Sequence, residues 1–369
     1  MRYYIISGER SGDLHASNLI RSIGALDSKA LYRGMGGDYS GRVGLELAVH
    51  YQQVAVMGFV EVLLGFRKVL KYLSFVQKDL LAFKPDILIL VDYGGFNLKM
   101  AAFAKKHGIP VHYYIPPKVW AWNQKRALKI KALTDAVYCI LPFEPAFFGM
   151  FGVNAHFVGN PLLDEIAQFS PHPFFHQKNE LSYSPIIALL PGSRKQELQH
   201  MMQVMVHLVR NFPQAQFVVA GVSNLPMELY MPAKKAGIKV VFDQTYDLLQ
   251  HATAAIVTSG TATLETALFR VPQVVVYRTS AISYAIAKRL IRVPFISLVN
   301  LIAGEKVVTE LIQAEYNLKQ LSKELNLILA SIQHKAQILR GYDLVRERIG
   351  SQSASATTAD LIFGALAKK

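Results

Sequence analysis

The chain has 369 residues, 51% of them apolar, and a formal net charge of +14. This length exceeds what one ordinary hydrophobic core holds and predicts two domains, and the single cysteine, Cys139, excludes a disulfide within the chain. No apolar run in the sequence reaches the ~18–20 residues that span a bilayer, so we expect a cytoplasmic or peripheral protein. The charge suits nucleic acid, anionic lipid or phosphorylated substrates, or serves solubility alone. Because no nucleic-acid recognition module is visible, we expect no nucleic-acid partner.

Short apolar runs alternate with helical patterns along the chain, which predicts βαβ units and parallel sheets. The predicted strands are residues 3–7, 87–92, 111–115 and 137–141 in the first half, and 186–190, 217–220, 239–242, 255–258 and 273–277 in the second. Helices are predicted between them, for example over residues 13–26 and 99–107. We therefore expect an α/β protein with two doubly wound domains that face each other.

The predicted domain boundary lies where the sequence becomes turn-rich and aperiodic. We expect an N-terminal domain over residues 1–168 and a C-terminal domain over residues 169–345. The segment of residues 346–369 contains a polar connector, Ser351–Thr358, before a last helix predicted at Ala359–Leu366. We expect this segment to pack back on the first domain.

The first predicted strand runs into a loop with five candidate site residues, Gly8, Glu9, Ser11, Gly12 and Asp13. Glycines let the backbone approach a ligand, and the helix that follows offers free N–H groups to an anion. The loop is not a G-x-G-x-x-G dinucleotide motif. A plain strand–helix turn explains it equally well.

Asp92 ends another predicted strand of the first half. The carboxyl ends of strands line the crevice of open α/β sheets, so a carboxylate there is well placed for proton chemistry. The alternative is that Asp92 caps the helix that follows.

The segment of residues 54–72 is very apolar and then abruptly basic. A buried helix with a basic end explains this pattern. A partly exposed apolar face ringed by Lys and Arg, lying on an anionic membrane or admitting acyl chains, also explains it. On the second interpretation, the lipid-facing residues are Val56, Met57, Phe59, Leu63, Leu64, Phe66, Arg67, Lys68 and Lys71.

Both tryptophans of the chain, Trp120 and Trp122, lie in one loop that continues into Lys125 and Arg126. Two indoles and two cations together can grip a sugar face and a phosphate. Packing explains one tryptophan easily but the whole loop less well. We therefore assign Trp120 and Trp122 to the acceptor site with the first loop.

Two loops in the second half predict a nucleotide-sugar site. Arg194 ends a short stretch that follows a strand, and at such a strand C-terminus a guanidinium can chelate a diphosphate. A second loop offers helix N–H groups and hydroxyls to a phosphate and a carboxylate to ribose hydroxyls; its candidate residues are Ser259, Gly260, Thr261, Ala262, Thr263 and Glu265. The alternative for the Ser/Thr cluster is helix capping alone. The sequence shows neither His/Cys metal spacing nor Asp-x-Asp, so we expect no metal.

Taken together, these motifs resemble those of the lipid A disaccharide synthases. The matching stretches, in order over residues 3–315, are Gly8–Asp13, Val56–Leu63, Val119–Trp122, Leu141–Glu144, Leu190–Arg194, Ser259–Glu265, Ala287–Leu290 and Asn300–Gly304. Each motif alone is weak, and the ordered set is highly specific.

The resemblance implies a GT-B fold, in which two Rossmann-like domains face each other across the active-site cleft. It implies an inverting, metal- and cofactor-independent transfer between UDP-2,3-diacylglucosamine and 2,3-diacylglucosamine 1-phosphate (lipid X). Asp92 matches the proposed general base, Arg194 the arginine on the UDP phosphates, and Asn300 an asparagine important for activity. We expect the N–H groups of Ser259–Thr261 to stabilise the leaving phosphate. The resemblance also implies peripheral association with the inner face of the inner membrane, and it leaves the oligomeric state open, with a homodimer as one alternative.

The chain departs from the family pattern at several positions: Arg10, Gly95, Pro116, Lys118, Asn160 and Val299. Gly95 stands where the family often has a second carboxylate, which leaves Asp92 as the simpler choice of base. Asn160 replaces the usual histidine and cannot titrate near neutral pH.

Two other functions also fit the sequence. A GT-B-type UDP-N-acetylglucosamine 2-epimerase shares the fold but has no need of an acyl-lipid surface at residues 57–72. A non-catalytic nucleotide-sugar-binding membrane scaffold has no need of Asp92.

Overall fold

The computed structural model describes residues 1–54, 61–291 and 293–367, without the side chains of residues 61–67 and 286. Several predicted lipid-facing residues therefore lie outside the described residues: Val56, Met57 and Phe59 entirely, and Leu63, Leu64, Phe66 and Arg67 in their side chains. The chain divides into two compact units, one of Met1–Ala167 with Ser351–Lys369 and one of Gln168–Gly350.

Within the described part of the first unit, seven parallel strands form one sheet in the order β3-β2-β1-β4-β5-β6-β7. The strands are β1 (Arg2–Ser7), β2 (Leu31–Gly36), β3 (Leu45–His50), β4 (Ile87–Val91), β5 (Val111–Tyr114), β6 (Ala136–Cys139) and β7 (Ala155–Phe157). The helices before the unit boundary are α1 (Arg10–Leu26), α2 (Asp38–Arg42), α3 (Tyr51–Val54), α4 (Glu61–Phe83), α5 (Gly94–Lys106), α6 (Val119–Trp122), α7 (Arg126–Leu133), α8 (Glu144–Gly149) and α9 (Pro161–Gln168).

The second unit repeats this architecture with six parallel strands, counted over its described residues, in the order β10-β9-β8-β11-β12-β13. The strands are β8 (Ile186–Leu190), β9 (Gln216–Gly221), β10 (Lys239–Phe242), β11 (Ala252–Thr258), β12 (Gln273–Tyr277) and β13 (Glu310–Ile312). The α-helices are α10 (Phe175–Lys178), α11 (Lys195–Met205), α12 (Met231–Lys235), α13 (Thr245–His251), α14 (Thr261–Leu268), α15 (Ala281–Leu290), α16 (Leu298–Ala303), α17 (Leu318–Ala330) and α18 (Ile332–Ile349), with 3-10 turns at Leu208–Asn211 and Met227–Tyr230.

The central strands are continuous apolar runs because both faces of each sheet are covered by helices. Every residue of β4 and the apolar residues of β1 are fully buried. In the second unit, β8 and β11 form the equivalent core with Leu248 and Val271. The apolar periodicity of the sequence is thus explained by burial on both sides.

The last helix, α19 (Ala354–Ala367), belongs to the first unit, where Ala359 and Ile362 pack in the same core cluster as Leu19 and Ile23 of α1. It begins at Ala354, inside the stretch predicted to be a connector. The amide and hydroxyl of Ser355 donate to Asp164 Oδ2 at 3.1 and 2.6 Å, and this anchors the first turn. Among the described residues, no helix is both long and apolar enough to cross a membrane.

Candidate active site

In each sheet the strand order reverses next to the first strand of the unit, between β1 and β4 and between β8 and β11. Loops that leave neighbouring strands at such a switch point diverge to opposite faces of the sheet and open a crevice for ligands. The Gly8–Asp13 loop follows β1 and Asp92 follows β4. Arg194 comes shortly after β8 and Ser259 directly follows β11. The structure therefore brings the predicted residues together in two sets, one in each unit.

Asp92 lies in an unusual backbone turn at the end of β4. Asp92 and Tyr93 both have φ of +49°, a left-handed conformation that non-glycine residues rarely adopt. The carbonyl of Asp92 accepts hydrogen bonds from Asn97 Nδ2 and from the Tyr113 hydroxyl, both at 2.7 Å. Such strained turns persist where the surroundings fix them, and they cluster at functional sites.

The carboxyl group of Asp92 is half-buried, and burial raises its pKa above the ordinary aspartate range. The Tyr93 amide and the charge of Lys118 act in the opposite direction and lower this pKa. The N-cap position of α5 is occupied by Tyr93, so Asp92 lies just outside that helix. A carboxylate with a raised pKa, once ionised, is a stronger proton acceptor than an exposed aspartate.

The first loop contacts the Asp92 turn through Gly8. A Cβ atom added at Gly8 would lie 2.1 Å from Cγ of the Tyr93 ring, so this position requires glycine. At Gly12 an added Cβ would approach Asp92 Cβ at 3.8 Å, an ordinary contact. Gly12 belongs to the first turn of α1, and this places Asp92 beside that helix start. Glu9 and Ser11 are exposed.

Asp13 has a structural role in the first unit. Its fully buried carboxylate accepts hydrogen bonds from the amides of Gly37 at 2.7 Å, Tyr39 at 2.9 Å and Ser40 at 3.3 Å, and from the Ser40 hydroxyl at 2.5 Å. These donors begin α2, so Asp13 caps that helix from outside. We therefore revise its predicted acceptor contact to a role in positioning the loop between β2 and α2.

The two tryptophans have different environments. Trp120 is 6% exposed, its indole N–H donates to Glu144 Oε1 at 2.9 Å, and its ring packs edge-on against Phe143. Glu144 is buried, also accepts two backbone amides, and has a pKa raised by burial. Trp122 is 46% exposed, with the Arg126 guanidinium 5.4 Å from the ring centroid. Trp122 is therefore accessible from outside the fold, and Trp120 fixes the loop.

Arg194 is the N-cap residue of α11, and its side chain is 79% exposed. Its Nη1 atom lies 3.1 Å from Glu197 Oε1. Glu197 itself lies against Gly192, which has φ of +103° and where an added Cβ would meet Glu197 Oε2 at 2.6 Å. Exposed ion pairs of this kind are weak, so the guanidinium is readily available to a phosphate.

The predicted phosphate contact of the Ser259 amide is not supported. This amide donates to the carbonyl of Val276 in β12 at 3.0 Å, and the Ser259 hydroxyl donates to the carbonyl of Ile296 at 2.7 Å. Both polar groups are used by the fold. The amides that a helix cannot satisfy internally lie one step further on, at Thr261 and Ala262 in the first turn of α14.

A further residue of this loop, Thr263, is also held internally. Thr263 is buried, and its hydroxyl donates to the Gly260 carbonyl at 2.8 Å and accepts the Leu298 amide at 3.3 Å. The Thr263 hydroxyl is therefore used by the fold, but it caps no amide of α14, which has no side-chain cap hydrogen bond. Gly260 and Thr261 are exposed.

Glu265 lies one turn into α14 and is half-buried. It accepts a hydrogen bond from the Tyr246 hydroxyl at 3.4 Å, and burial raises its pKa to about 7. Phe169, Tyr246 and Phe269 form an aromatic cluster, with ring centroids 5.1–5.8 Å apart. Glu265 thus combines a low-polarity environment with a carboxyl group that titrates near neutral pH.

Asn300, predicted to be catalytic, is fully buried. Its Nδ2 donates to the Val308 carbonyl at 3.0 Å and to Glu310 Oε1 at 2.9 Å, and its Oδ1 accepts the amides of Val307 and Val308 at 2.8 and 2.9 Å. Both hydrogens and both lone pairs of the amide are therefore used. This geometry makes Asn300 a positioning residue that joins α16 to the chain entering β13.

Glu310 is a residue that the sequence patterns did not single out. It accepts the amides of Ile296 and Ser297 at 3.0 and 2.9 Å and the Ser297 hydroxyl at 2.7 Å, in addition to Asn300. Because the Ser259 hydroxyl donates to the Ile296 carbonyl, this network connects Ser259, a candidate residue of the predicted nucleotide-sugar site, to α16. Glu310 lies on a short strand without a recognisable motif, so its role depends on contacts that only the fold creates.

The described part of α4 carries two of the predicted lipid-facing cations, Lys68 and Lys71, and both are exposed. Leu73, Val76 and Leu80 form the buried stripe of the same helix. This part of α4 is amphipathic and has a basic outer face.

Two of the positions that depart from the family pattern have simple environments. Asn160 is buried, donates to the Ile140 carbonyl at 3.1 Å and accepts the Leu162 amide at 3.1 Å, so it has a structural role. Gly95 is exposed, and an added side chain would meet no neighbour within 4 Å.

Over residues 1–54, 61–291 and 293–367, no cluster of three or more His, Cys, Asp or Glu side chains could hold a metal ion.

Two parallel α/β sheets, each with its candidate ligand loops at a switch point, define a protein of the GT-B class. The fold is similar to a solved putative UDP-N-acetylglucosamine 2-epimerase from Listeria monocytogenes (TM-score 0.68, 12% identity, 100% of this chain and 97% of that chain). It is also similar to the UDP-GlcNAc 2-epimerase from Neisseria meningitidis bound to UDP-GlcNAc (TM-score 0.68, 12% identity, 100% of both chains). A glycotransferase of kitacinnamycin shares the fold as well (TM-score 0.65, 13% identity, 99% of both chains).

Sequence comparison identifies the family within this class. The LpxB family model, described as lipid-A-disaccharide synthetase, matches residues 3–360. The lipid-A-disaccharide synthases of Syntrophotalea carbinolica (36% identity, 98% of this chain and 94% of that protein) and Geobacter metallireducens (37%, 100% and 98%) are similar over nearly their full lengths. The chain therefore belongs to the lipid-A-disaccharide synthase family, hexosyltransferases of lipid A biosynthesis. The epimerases share its fold at much lower identity.

Proposed function

We propose that the chain joins UDP-2,3-diacylglucosamine to 2,3-diacylglucosamine 1-phosphate, giving the lipid A disaccharide 1-phosphate and UDP with inversion at the anomeric carbon. The observation that carries this proposal is the difference between the two switch points. The first unit has a half-buried carboxyl group of raised pKa, and the second has an exposed guanidinium and an open helix N-terminus.

In this proposal the acceptor binds to the first unit, with Asp92 as general base. Asp92 takes the proton from the acceptor 6-hydroxyl, and the oxygen of that hydroxyl attacks the anomeric carbon of the donor. The bond from that carbon to the UDP oxygen breaks. Burial supports this role because it makes the ionised carboxylate a better proton acceptor. General-base catalysis of this kind contributes about 100- to 10,000-fold to a rate.

The exposed side chains near this switch point would orient the acceptor. Trp122 offers an aromatic face to a sugar or an acyl chain, and the adjacent Arg126 adds a positive charge for a phosphate. Glu9 and Ser11 offer polar groups from the first loop. Trp120 acts indirectly, through its bond to Glu144.

The donor would bind to the second unit, where negative charge on the β-phosphate grows as the glycosidic bond breaks. Arg194 and the amides of Thr261 and Ala262 are fixed donors that would stabilise this charge more in the transition state than in the ground state. Removal of one such donor costs roughly 3–4 kcal/mol. Glu265 would accept hydrogen bonds from the ribose hydroxyls.

The lipid nature of both substrates leads us to place the protein on the inner face of the inner membrane as a peripheral enzyme. The exposed cations of α4, Lys68 and Lys71, suit an anionic lipid surface.

The test is product formation from purified protein and the two lipid precursors, followed by mass spectrometry. We expect a tetraacyl disaccharide 1-phosphate with equimolar UDP from wild type, and at least a hundredfold slower formation from Asp92→Asn. A parallel incubation with UDP-N-acetylglucosamine alone tests the epimerase alternative by its product. Intact UDP binding without any disaccharide would refute the proposed reaction.

A further inference from the structure

The helix α15 has an unusually open surface for part of a folded unit. It follows β12 at the carboxyl edge of the second sheet, the edge that also bears Arg194 and Thr261. None of its described side chains is buried. Ile282 is 76% exposed and Leu290 is 48% exposed. Folded units normally turn the apolar stripe of a helix towards a core, so this exposure calls for a partner surface.

The helical repeat separates an inner face from an outer face. At about 100° per residue, Ile282, Ala285 and Arg289 point to one side. Tyr284 and Ala287 lie on the opposite side and are half-buried, whereas the three outward residues are exposed. The outer face of α15 is therefore apolar with a cation near its carboxyl end.

The charge of this segment indicates what covers the outer face. From Arg278 to Gly304, both included, the sequence has four basic residues and no Asp or Glu, although the chain contains 26 acidic residues. Lys288 and Arg289 are exposed in the last turn of α15. Their position suits the helix dipole, but the dipole does not explain exposed isoleucine and leucine beside them. Apolar side chains flanked by exposed cations are the pattern of an interfacial helix on an anionic membrane.

We propose that α15 lies in the headgroup region of an anionic bilayer. Ile282 and Leu290 enter the boundary with the acyl chains, Arg289 faces lipid phosphates from the outer face, and the long side chain of Lys288 reaches them from the flank of the helix. This inference rests on the proposed function in one respect, that an acylated donor resides in the same lipid surface. The contact holds the loops of Arg194 and Thr261 at the surface from which such a donor is drawn.

The test is cosedimentation of the full chain with vesicles of phosphatidylethanolamine and phosphatidylglycerol in a three-to-one ratio, without substrate. One double variant, Ile282→Ser with Leu290→Ser, removes the apolar contact. The other, Lys288→Gln with Arg289→Gln, removes the charge. We expect the charge variant to lower the partition coefficient by about 10- to 30-fold and the apolar variant by about tenfold.

Matched controls come from the same unit. Ile332 is 89% exposed at the start of α18, so Ile332→Ser removes an exposed apolar side chain elsewhere. Lys234 and Lys235 are adjacent exposed lysines in the last turn of α12, so Lys234→Gln with Lys235→Gln matches the charge change. We expect both controls to bind vesicles as wild type does.

The outcome separates this inference from the proposed reaction. Wild-type binding by both α15 variants would overturn the membrane contact. Loss of self-association in the same variants, measured by analytical ultracentrifugation without vesicles, together with unchanged vesicle binding would instead assign the face to a second copy, which also overturns it. A wild-type protein that binds vesicles through α15 but makes no disaccharide would refute only the proposed reaction.

Discussion

The two sheets reverse their strand order in the same way, yet the residues at the two reversals differ in charge, burial and backbone geometry. In the first unit, β4 ends in Asp92, a half-buried carboxyl group on a left-handed backbone whose carbonyl is fixed by two hydrogen bonds. In the second, the loop after β8 ends in Arg194, whose side chain is 79% exposed and makes a weak surface ion pair. One topology thus supplies two crevices, and the residue after the strand decides the chemistry of each.

The largest effect should follow from removal of the carboxylate. We expect Asp92→Asn to lower kcat/KM by about 100- to 10,000-fold, because the amide cannot take the acceptor proton. Since the base acts in its ionised form, wild-type kcat/KM should rise with pH as Asp92 loses its proton. Burial raises this pKa, so the rise should lie above the range of an exposed aspartate. A pH–rate profile of both proteins measures this, and an identical acidic limb in Asp92→Asn would exclude Asp92 as the base.

Lys118 sharpens the same measurement. Its charge lowers the pKa of Asp92 against the effect of burial. In Lys118→Gln the acidic limb should therefore move to higher pH while the plateau persists.

A smaller loss should follow from a methyl group at Gly8. In Gly8→Ala the new Cβ would meet the Tyr93 ring at 2.1 Å, so the ring and the adjacent Asp92 must move. A displacement of this order costs about 100-fold in rate. Gly12→Ala is the matched control, because its Cβ meets its nearest neighbour at an ordinary 3.6 Å. Steady-state rates of the two variants decide the point, and equal rates would contradict the contact.

Substitutions of the two tryptophans should differ in their effect on the stability of the protein. Trp120→Phe keeps an aromatic ring but removes the N–H donor to the buried Glu144, which should lower the free energy of unfolding by about 1–3 kcal/mol. Trp122→Phe changes an exposed ring and should leave stability within about 0.5 kcal/mol of wild type. Urea denaturation measures both, and equal midpoints would show that the bond to Glu144 contributes little.

The smallest effect concerns Glu265 and pH. Burial raises its pKa to about 7, so the unliganded protein holds this proton well above the pH at which an exposed glutamate loses it. Ribose hydroxyls donate to the ionised form, and UDP affinity should therefore fall as pH decreases through this pKa, by about tenfold between about pH 8 and pH 6. In Glu265→Gln, the part of the pH dependence of UDP affinity that comes from Glu265 should disappear. The part that comes from titration of the UDP phosphate should remain. Calorimetry at several pH values would detect the Glu265 part, and parallel profiles would rule it out.

Much of the fold follows from the sequence because the central strands are buried on both faces. The prediction of two parallel α/β sheets is confirmed, and β1, β4, β8 and β11 each contain a predicted apolar run. Four of the described strands were not predicted. The strands β2 and β3 mix apolar residues with charged residues and, in β2, two glycines, and β7 and β13 have only three residues each.

The position of a candidate residue was predictable where it lies at or shortly after the end of one strand, as for Asp92 and Arg194. It was not predictable where a role depends on a distant partner. Asp13 bonds to the start of α2, and Asn300 shares its hydrogen bonds with Glu310 and the chain before β13. These partners carry no motif, and only the folded chain brings them within reach.

The central claim is that the switch point of the first unit acts on the acceptor and that of the second unit binds UDP. The affinity of two variants for UDP tests this claim most directly. Isothermal titration calorimetry of Asp92→Asn should give the wild-type affinity, because the carboxylate acts on the acceptor. Arg194→Gln should bind UDP at least about tenfold more weakly, since a charge-assisted bond to phosphate is worth about 1.5–3 kcal/mol. Equal affinities for both variants, or loss of binding in Asp92→Asn alone, would contradict the division of roles between the two units.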